Sequence, residues 1–149
     1  MSASEILLVN HHYDEALCLV CCAIDAISLK TYPAYRKVGD RFRLFLQKNF
    51  RRICEKGFPG ITASSIRIKL ITDIDIKKDD FGYVGIEDVI YYVLRCGLVH
   101  NCLVDSKIQF TNYTRIGNSD KKFFYLPKTL ILGLIDVARS ALDGIQIGT

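Results

Sequence analysis

Hydrophobic residues recur along this chain mainly at the spacing of an α-helix. Residues 13–31 are apolar on nearly all sides, open with acidic residues and are followed closely by Pro33, a pattern that predicts a long buried helix. Residues 38–56 are apolar at every third or fourth position and run into a Gly-Phe-Pro-Gly stop, which predicts a second, amphipathic helix. The same periodicity predicts helices over residues 85–103 and 128–142, with Pro127 in the first turn of the last one.

Between these helices the pattern changes. Residues 107–116 and 122–126, joined through a Gly-Asn-Ser-Asp turn, predict a two-stranded hairpin that must pack on the helices to be stable. Residues 61–83 alternate in strand fashion only in part, so a strand, a helix and an extended connection all stay open there. The predicted fold is mainly α: an up-and-down bundle of four to five helices with a short β-hairpin before the last helix.

Composition adds the outer limits. The chain has 149 residues, of which 50% are hydrophobic, so we expect residues 1–149 to form a single domain with one core. The longest apolar run, residues 16–24, is too short to span a bilayer, and the N-terminus lacks the pattern of a signal peptide. We therefore expect a cytoplasmic protein without a membrane segment. The net charge of +4 is too small to indicate a nucleic-acid binder by itself.

Candidate chemistry lies in the otherwise apolar segment 89–101, which contains Arg95 and His100. Burying such groups is costly unless they are paired or used. On a straight helix they would lie about 140° apart, and Gly97 between them is expected to loosen the helix so that both reach one phosphate. Histidine transfers protons near neutral pH and a guanidinium binds a phosphate, a combination suited to phosphodiester cleavage. A structural arginine with a helix-end histidine is the alternative.

Asp25 is the second unusual residue, because it interrupts the most hydrophobic helix of the chain. An ionised carboxylate there needs a partner, and Arg95 is the obvious candidate. If the two pair, Asp25 orients the guanidinium. Asp25 at a polar corner of the bundle, or facing solvent, is the alternative.

The string Arg-Cys-Gly-Leu-Val-His at 95–100, preceded by Ile-Tyr-Tyr-Val-Leu, resembles the motif of the HEPN superfamily (higher eukaryote and prokaryote nucleotide-binding), and the chain looks like its bacterial members. The resemblance implies a helical bundle that acts as a homodimer and cleaves RNA without a metal ion or cofactor. By resemblance, Arg95 and His100 would be the catalytic pair. From their positions alone, Asp25 would support Arg95, and Tyr92 and Asn101, the nearest other polar groups on the helix, would orient the substrate or the imidazole. Tyr92 as a core residue and Asn101 as an ordinary helix-end residue are the alternatives. A toxin or defence ribonuclease is the implied role.

A basic stripe on the second helix is the candidate RNA-binding surface, since phosphate contacts supply most non-specific affinity. Its members are Arg41, Lys48, Arg51 and Arg52. An ordinary solvated helix face is the alternative. Four aspartates between 73 and 80 lack the glycine and distal glutamate of a calcium loop, so they predict a solvated turn rather than a metal site.

A second function fits the same sequence. Many active HEPN proteins carry a polar residue directly after the arginine, where this chain has Cys96. This departure favours a non-catalytic HEPN-like module, which dimerises or binds nucleotides as the partner of an antitoxin, a nucleotidyltransferase or a larger defence complex.

Overall fold

The computed structural model describes residues 1–147 and is mainly helical, as predicted. The two N-terminal helices of the sequence prediction are confirmed almost to the residue, because a long apolar periodicity and clear stop residues fix both ends. A short helix precedes them, and a mixed α/π helix and a long last helix follow. The helical elements are α1 Ala3–Val9, α2 Tyr13–Thr31, α3 Val38–Gly57, α4 Ile86–Asp88, a π-helical segment Val89–Arg95, α5 Cys96–Asn101 and α6 Leu130–Ile147.

The core lies between α2, α3 and α6, and the buried hydrophobic side chains form one cluster. The backbones of α3 and α6 approach closely at Gly57 and Gly133, where a Cβ on Gly133 would lie only 2.5 Å from the carbonyl oxygen of Ile53. Five phenylalanines fill the remaining volume: Phe42, Phe45, Phe50, Phe58 and Phe124. Burial of these large rings adds to the stabilisation supplied by the aliphatic side chains of the core.

The helix that carries the motif consists of α4, the π-helical segment and α5 in direct succession, and we call it the motif helix. The loosening expected at Gly97 lies earlier in the helix. The helix is regular at Gly97, and the wider π turns come before it. Gly97 instead leaves room for the chain that returns after the helix, because a Cβ there would lie 2.8 Å from the carbonyl oxygen of Leu103. That return is made by Cys102, whose φ is 56°.

The strands correct the predicted hairpin. β1 (Arg67–Lys69) and β2 (Tyr83–Gly85) pair antiparallel within the segment that the sequence left open. β3 (Ile108–Thr111) and β4 (Phe124–Pro127) pair in parallel, so they are not a hairpin. Residues 112–123 are long enough for the crossover that parallel strands need.

The start of the last helix and the N-terminal segment also differ from the prediction. Pro127 belongs to β4 rather than to a helix, and α6 begins only at Leu130. α1 was not predicted, although its capping box is readable in the sequence: the Ser2 side chain accepts from the backbone of Glu5, and Glu5 accepts in return from Ser2. Among residues 1–147, no helix has both the length and the apolar character needed to span a membrane.

Candidate functional site

Asp25 of α2 and Arg95 of the motif helix form an ion pair, which confirms the pairing that the sequence left open. Nε and Nη2 of Arg95 donate to the same oxygen, Oδ2, at 3.0 and 2.8 Å. The side chain of Arg95 is only 12% exposed and that of Asp25 is 22% exposed. The second oxygen, Oδ1, is buried and has no hydrogen-bond partner among residues 1–147.

The environment of Arg95 keeps it charged and fixed. Burial alone would lower the pKa of the guanidinium, but the hydrogen bonds and charge of Asp25 outweigh burial, so the pKa lies above its ordinary value. The Tyr91 ring lies 5.5 Å from the guanidinium carbon, as in a cation–π contact. The third nitrogen, Nη1, faces the sulfur of Cys96 at 3.9 Å. Arg95 is therefore oriented before any ligand arrives.

His100 lies at the exposed end of α5 and lines a groove of about 630 Å³. We call this the His100 groove. Asn101 and Tyr92 of the motif helix line it too, so the structure brings three of the predicted residues together. The other polar groups of the groove come from Asp75 and from Asp105 and Ser106, which follow the motif helix. An imidazole, an amide and carboxylates around one open groove are a set able to bind and deprotonate a hydroxyl.

Arg95 and His100 have different surroundings within one chain. Asp25 draws the guanidinium toward α2, and Arg95 is not among the residues that line the His100 groove. Cys96 connects the two, because it contacts Arg95 and also lines the groove. Within a single subunit His100 therefore lies in the groove and Arg95 at the contact with α2, and the expectation that both side chains reach a single phosphate stays a prediction.

The four residues of the predicted basic stripe on α3 fall into two groups, those with partners in the fold and those without. Arg41 donates to the backbone carbonyls of Tyr35 and Arg36, and Arg52 pairs with Asp136 of α6. Those two arginines serve the fold. Lys48 and Arg51 are exposed and make no ion pair within the part of the chain that the structure describes.

Two of the four aspartates between residues 73 and 80, Asp79 and Asp73, have partners, and these lie in different segments. Asp79 accepts hydrogen bonds from the backbone of Tyr83 and Phe81 and from Arg67, which together hold the pKa of its carboxyl below the ordinary value. Asp73 lies near Lys107, and Asp75 lines the His100 groove. Within residues 1–147, no group of three or more histidine, cysteine, aspartate and glutamate side chains is arranged to hold a metal ion.

Arg43 is a residue that the sequence analysis missed. It pairs with Asp40 on its own helix and with Asp88 on the motif helix, and its guanidinium carbon lies 5.3 Å from the centre of the Tyr92 ring. Tyr92 is thereby held beside the His100 groove, which it also lines. The signal that was available is Asp88, a carboxylate that directly precedes the apolar run of residues 89–94.

Comparison with known protein families matches residues 6–143 to the family named Rv1289. No curated protein and no solved structure matches the chain. Because the match covers most of the 149 residues, the chain belongs to the Rv1289 family.

Proposed function

We propose that this protein is an endoribonuclease of HEPN type, which cleaves RNA without a metal ion through Arg95 and His100 of a homodimer. The observation that carries the proposal is the contrast between these two groups on neighbouring turns of one helix. Arg95 is fixed and charged by its pair with Asp25, whereas His100 is exposed in an open groove. A rigid cation and an accessible imidazole are what phosphodiester cleavage requires.

In the proposed mechanism, His100 of one subunit removes the proton from the RNA 2′-hydroxyl. The 2′-oxygen then attacks phosphorus, and the bond from phosphorus to the 5′-oxygen breaks. His100 of the second subunit donates a proton to that leaving oxygen, while Arg95 stabilises the negative charge on the phosphorane. The products are a 2′,3′-cyclic phosphate and a 5′-hydroxyl. Asn101 and Tyr92, which line the groove, position the substrate.

A second copy of the chain supplies the second His100 of the mechanism and a second Arg95, since Arg95 and His100 of a single chain do not line the same groove. The surface proposed for this contact joins α2 and the motif helix, which pack side by side through Asp25 and Arg95. Both helices also expose large apolar side chains: Leu19 and Leu29 on α2 and Val99 on α5. The buried, unpartnered Oδ1 of Asp25 lies at the same helix contact. A two-fold axis at this surface brings both copies of the motif together.

The test is incubation of purified protein with mixed RNA in EDTA. We expect cleavage products ending in 2′,3′-cyclic phosphate, and a loss of about 10²–10⁴-fold in rate for His100→Ala. His12→Ala, which removes an exposed histidine that caps the N-terminal end of α2 and does not line the His100 groove, is the matched control and keeps the wild-type rate. Equal cleavage by wild type and His100→Ala contradicts the proposal.

The dimer is measured on the same samples by light scattering. Leu29 of α2 is 52% exposed and Leu132 of α6 is 41% exposed, so glutamate at either position places a charge on an accessible surface. We expect Leu29→Glu to give a monomer without cleavage activity and Leu132→Glu to remain an active dimer. The opposite pattern would move the contact to α6 and remove the structural basis of the shared site.

One observation favours a second candidate, a non-catalytic HEPN-like module that binds a nucleotide or a partner protein. The Arg95 side chain is only 12% exposed and its contacts are already satisfied by Asp25 and Cys96. In this second candidate, the enclosed Arg95 maintains the surface and does not contact a substrate. This candidate predicts no RNA cleavage, together with partner binding that His100→Ala leaves intact.

A further inference from the structure

A second pocket, of about 220 Å³, adjoins the His100 groove and carries a concentration of basic and aromatic side chains. We call it the Lys77 pocket. Two carboxylates, Asp79 and Asp88, line it, and its basic and aromatic lining residues are Arg43, Arg67, Lys77, Lys78, Tyr83 and Tyr92. None of the predicted RNA-binding residues is among them. We propose that this pocket binds the nucleotide next to the scissile phosphate of single-stranded RNA. The choice of RNA as ligand rests on the proposed function.

The charges of the pocket divide into fixed and free groups. Arg67 pairs with Asp79 at 3.0 Å and Arg43 with Asp88 at 3.2 Å, so both guanidinium groups are held in position. Lys77 and Lys78 are exposed and form no ion pair within residues 1–147. Two unpaired ammonium groups beside two anchored arginines give the pocket a positive surface, which attracts a phosphate backbone.

Aromatic rings supply the second element of the recognition. Tyr83 of β2 is 39% exposed and Tyr92 of the motif helix is 45% exposed, although both rings are large and apolar. The guanidinium of Arg43 and the ring of Tyr91 both contact Tyr92 and hold its orientation. Exposed, oriented rings among basic side chains are typical of proteins that stack the bases of single-stranded RNA.

The pocket and the groove are continuous at two points. Tyr92 lines both of them. The segment after β1 also borders both, because Asp75 lines the groove and Lys77 and Lys78 line the pocket. An RNA strand whose scissile phosphate lies at His100 therefore passes its neighbouring nucleotide across Tyr92 into the Lys77 pocket.

The experiment measures binding of a fluorescein-labelled 2′-O-methyl oligouridylate by anisotropy in EDTA. Its blocked 2′-oxygen prevents cleavage, so binding is read separately from catalysis. For Lys77→Ala/Lys78→Ala we expect weaker binding. The slope of log Kd against log salt concentration is expected to fall by about 1.4, the value for two phosphate contacts on a single strand. Lys121→Ala/Lys122→Ala removes the same charge from another exposed lysine pair and is expected to leave the slope unchanged.

The aromatic contact has its own variant. Tyr92→Leu is expected to weaken binding about fivefold or more with no change in the salt slope, because stacking carries no charge. Tyr113→Leu, which removes another exposed tyrosine, is the control and keeps the wild-type affinity.

Three results would overturn the inference: no measurable binding by wild type at low salt, equal losses in the two lysine pairs, or a larger loss in Lys48→Ala/Arg51→Ala on α3. Failure of the ribonuclease proposal is distinguishable from these. A protein that binds the oligonucleotide through Lys77 and Lys78 but cuts no RNA retains the binding site and loses the catalytic one. A protein that cuts RNA with unchanged binding in the lysine variant retains the catalytic site alone.

Discussion

Two contacts between helices centre on an aspartate, and they are built differently. At the contact of α3 and α6, both carboxylate oxygens of Asp136 are used: Oδ2 accepts from Arg52 and Oδ1 from Lys56, each at 2.9 Å. At the contact of α2 and the motif helix, Asp25 uses only Oδ2, for two donors of Arg95, and Oδ1 has no partner among residues 1–147.

The backbone is regular at the contact of α3 and α6 and irregular at the contact of α2 and the motif helix. α3 and α6 are regular helices that touch through Gly57 and Gly133, whereas the motif helix has π turns over Val89–Arg95. Buried polar atoms are normally satisfied, and π turns inside helices are frequent at functional sites. The comparison indicates that the contact of α3 and α6 serves stability, while the contact at Asp25 retains unused binding capacity.

The strongest way to break this comparison is to remove the arginine of each contact. We expect Arg95→Met to lower the free energy of unfolding by about 3 kcal/mol, because it leaves the mostly buried Asp25 carboxylate unpaired. Arg52→Met is the matched control. It removes an exposed guanidinium while Lys56 still pairs with Asp136, so its cost is expected below about 1 kcal/mol. Urea unfolding measures both.

A double variant separates the charge from the packing at Asp25. Asp25→Leu/Arg95→Met replaces the pair by apolar groups and is expected to recover most of the loss seen in Arg95→Met alone, since unpaired charge is the main cost. If the loss of unfolding free energy in the double variant equals the sum of the losses in the two single variants, Asp25 and Arg95 stabilise the fold independently and not as a pair.

The next largest effect is expected at the close approach of α3 and α6. In Gly133→Ala the new Cβ meets the backbone of Ile53 and Gly57, neither of which can rotate away, so we expect a loss of about 2 kcal/mol. Gly144→Ala on the same helix meets nothing within 4 Å and is expected to be neutral or stabilising by up to about 1 kcal/mol. Equal melting temperatures for the two variants would show that α6 shifts freely on α3.

The same two contacts show what the sequence predicts and what it does not. Asp25 and Arg95 were matched as a pair because each is a charge in an apolar helix, where a partner is nearly obligatory. The π turns were not predicted, since over seven residues an apolar run has no period that distinguishes them from α turns. The Lys77 pocket was missed because it joins α3, β1, β2 and the motif helix, which no local pattern brings together.

The direction of β3 and β4 was wrong for a related reason. Alternation predicts a strand but not whether its neighbour is parallel or antiparallel. The direction is fixed by a distant contact: Asn118, in the connection, accepts from the backbone of Ile71 and Thr72 and donates to Lys69. The loop is thereby attached to the segment after β1 rather than folded into a turn. The sequence identified Asn118 only as a turn residue.

The smallest expected effect sharpens the comparison through pH. Hydrogen bonds from Lys56 and then Arg52 lower the pKa of Asp136 below its ordinary value of 3.8, although burial opposes them. A carboxyl with a lowered pKa stabilises the fold at pH values above the ordinary one, and that contribution disappears as the pH falls toward the lowered value. Asp136→Asn is therefore expected to cost about 1 kcal/mol near neutral pH and progressively less below pH 3.8. Thermal unfolding across this range measures the difference, and Asp143→Asn, an exposed carboxyl on the same helix, is the control that changes stability by less than about 0.5 kcal/mol. If Asp136→Asn costs the same stability in acid as at neutral pH, the shape of the Asp136 side chain rather than its charge stabilises α3 against α6. Asp136 and Asp25 would then stabilise their helix contacts by different physical means, and not only through different numbers of partners.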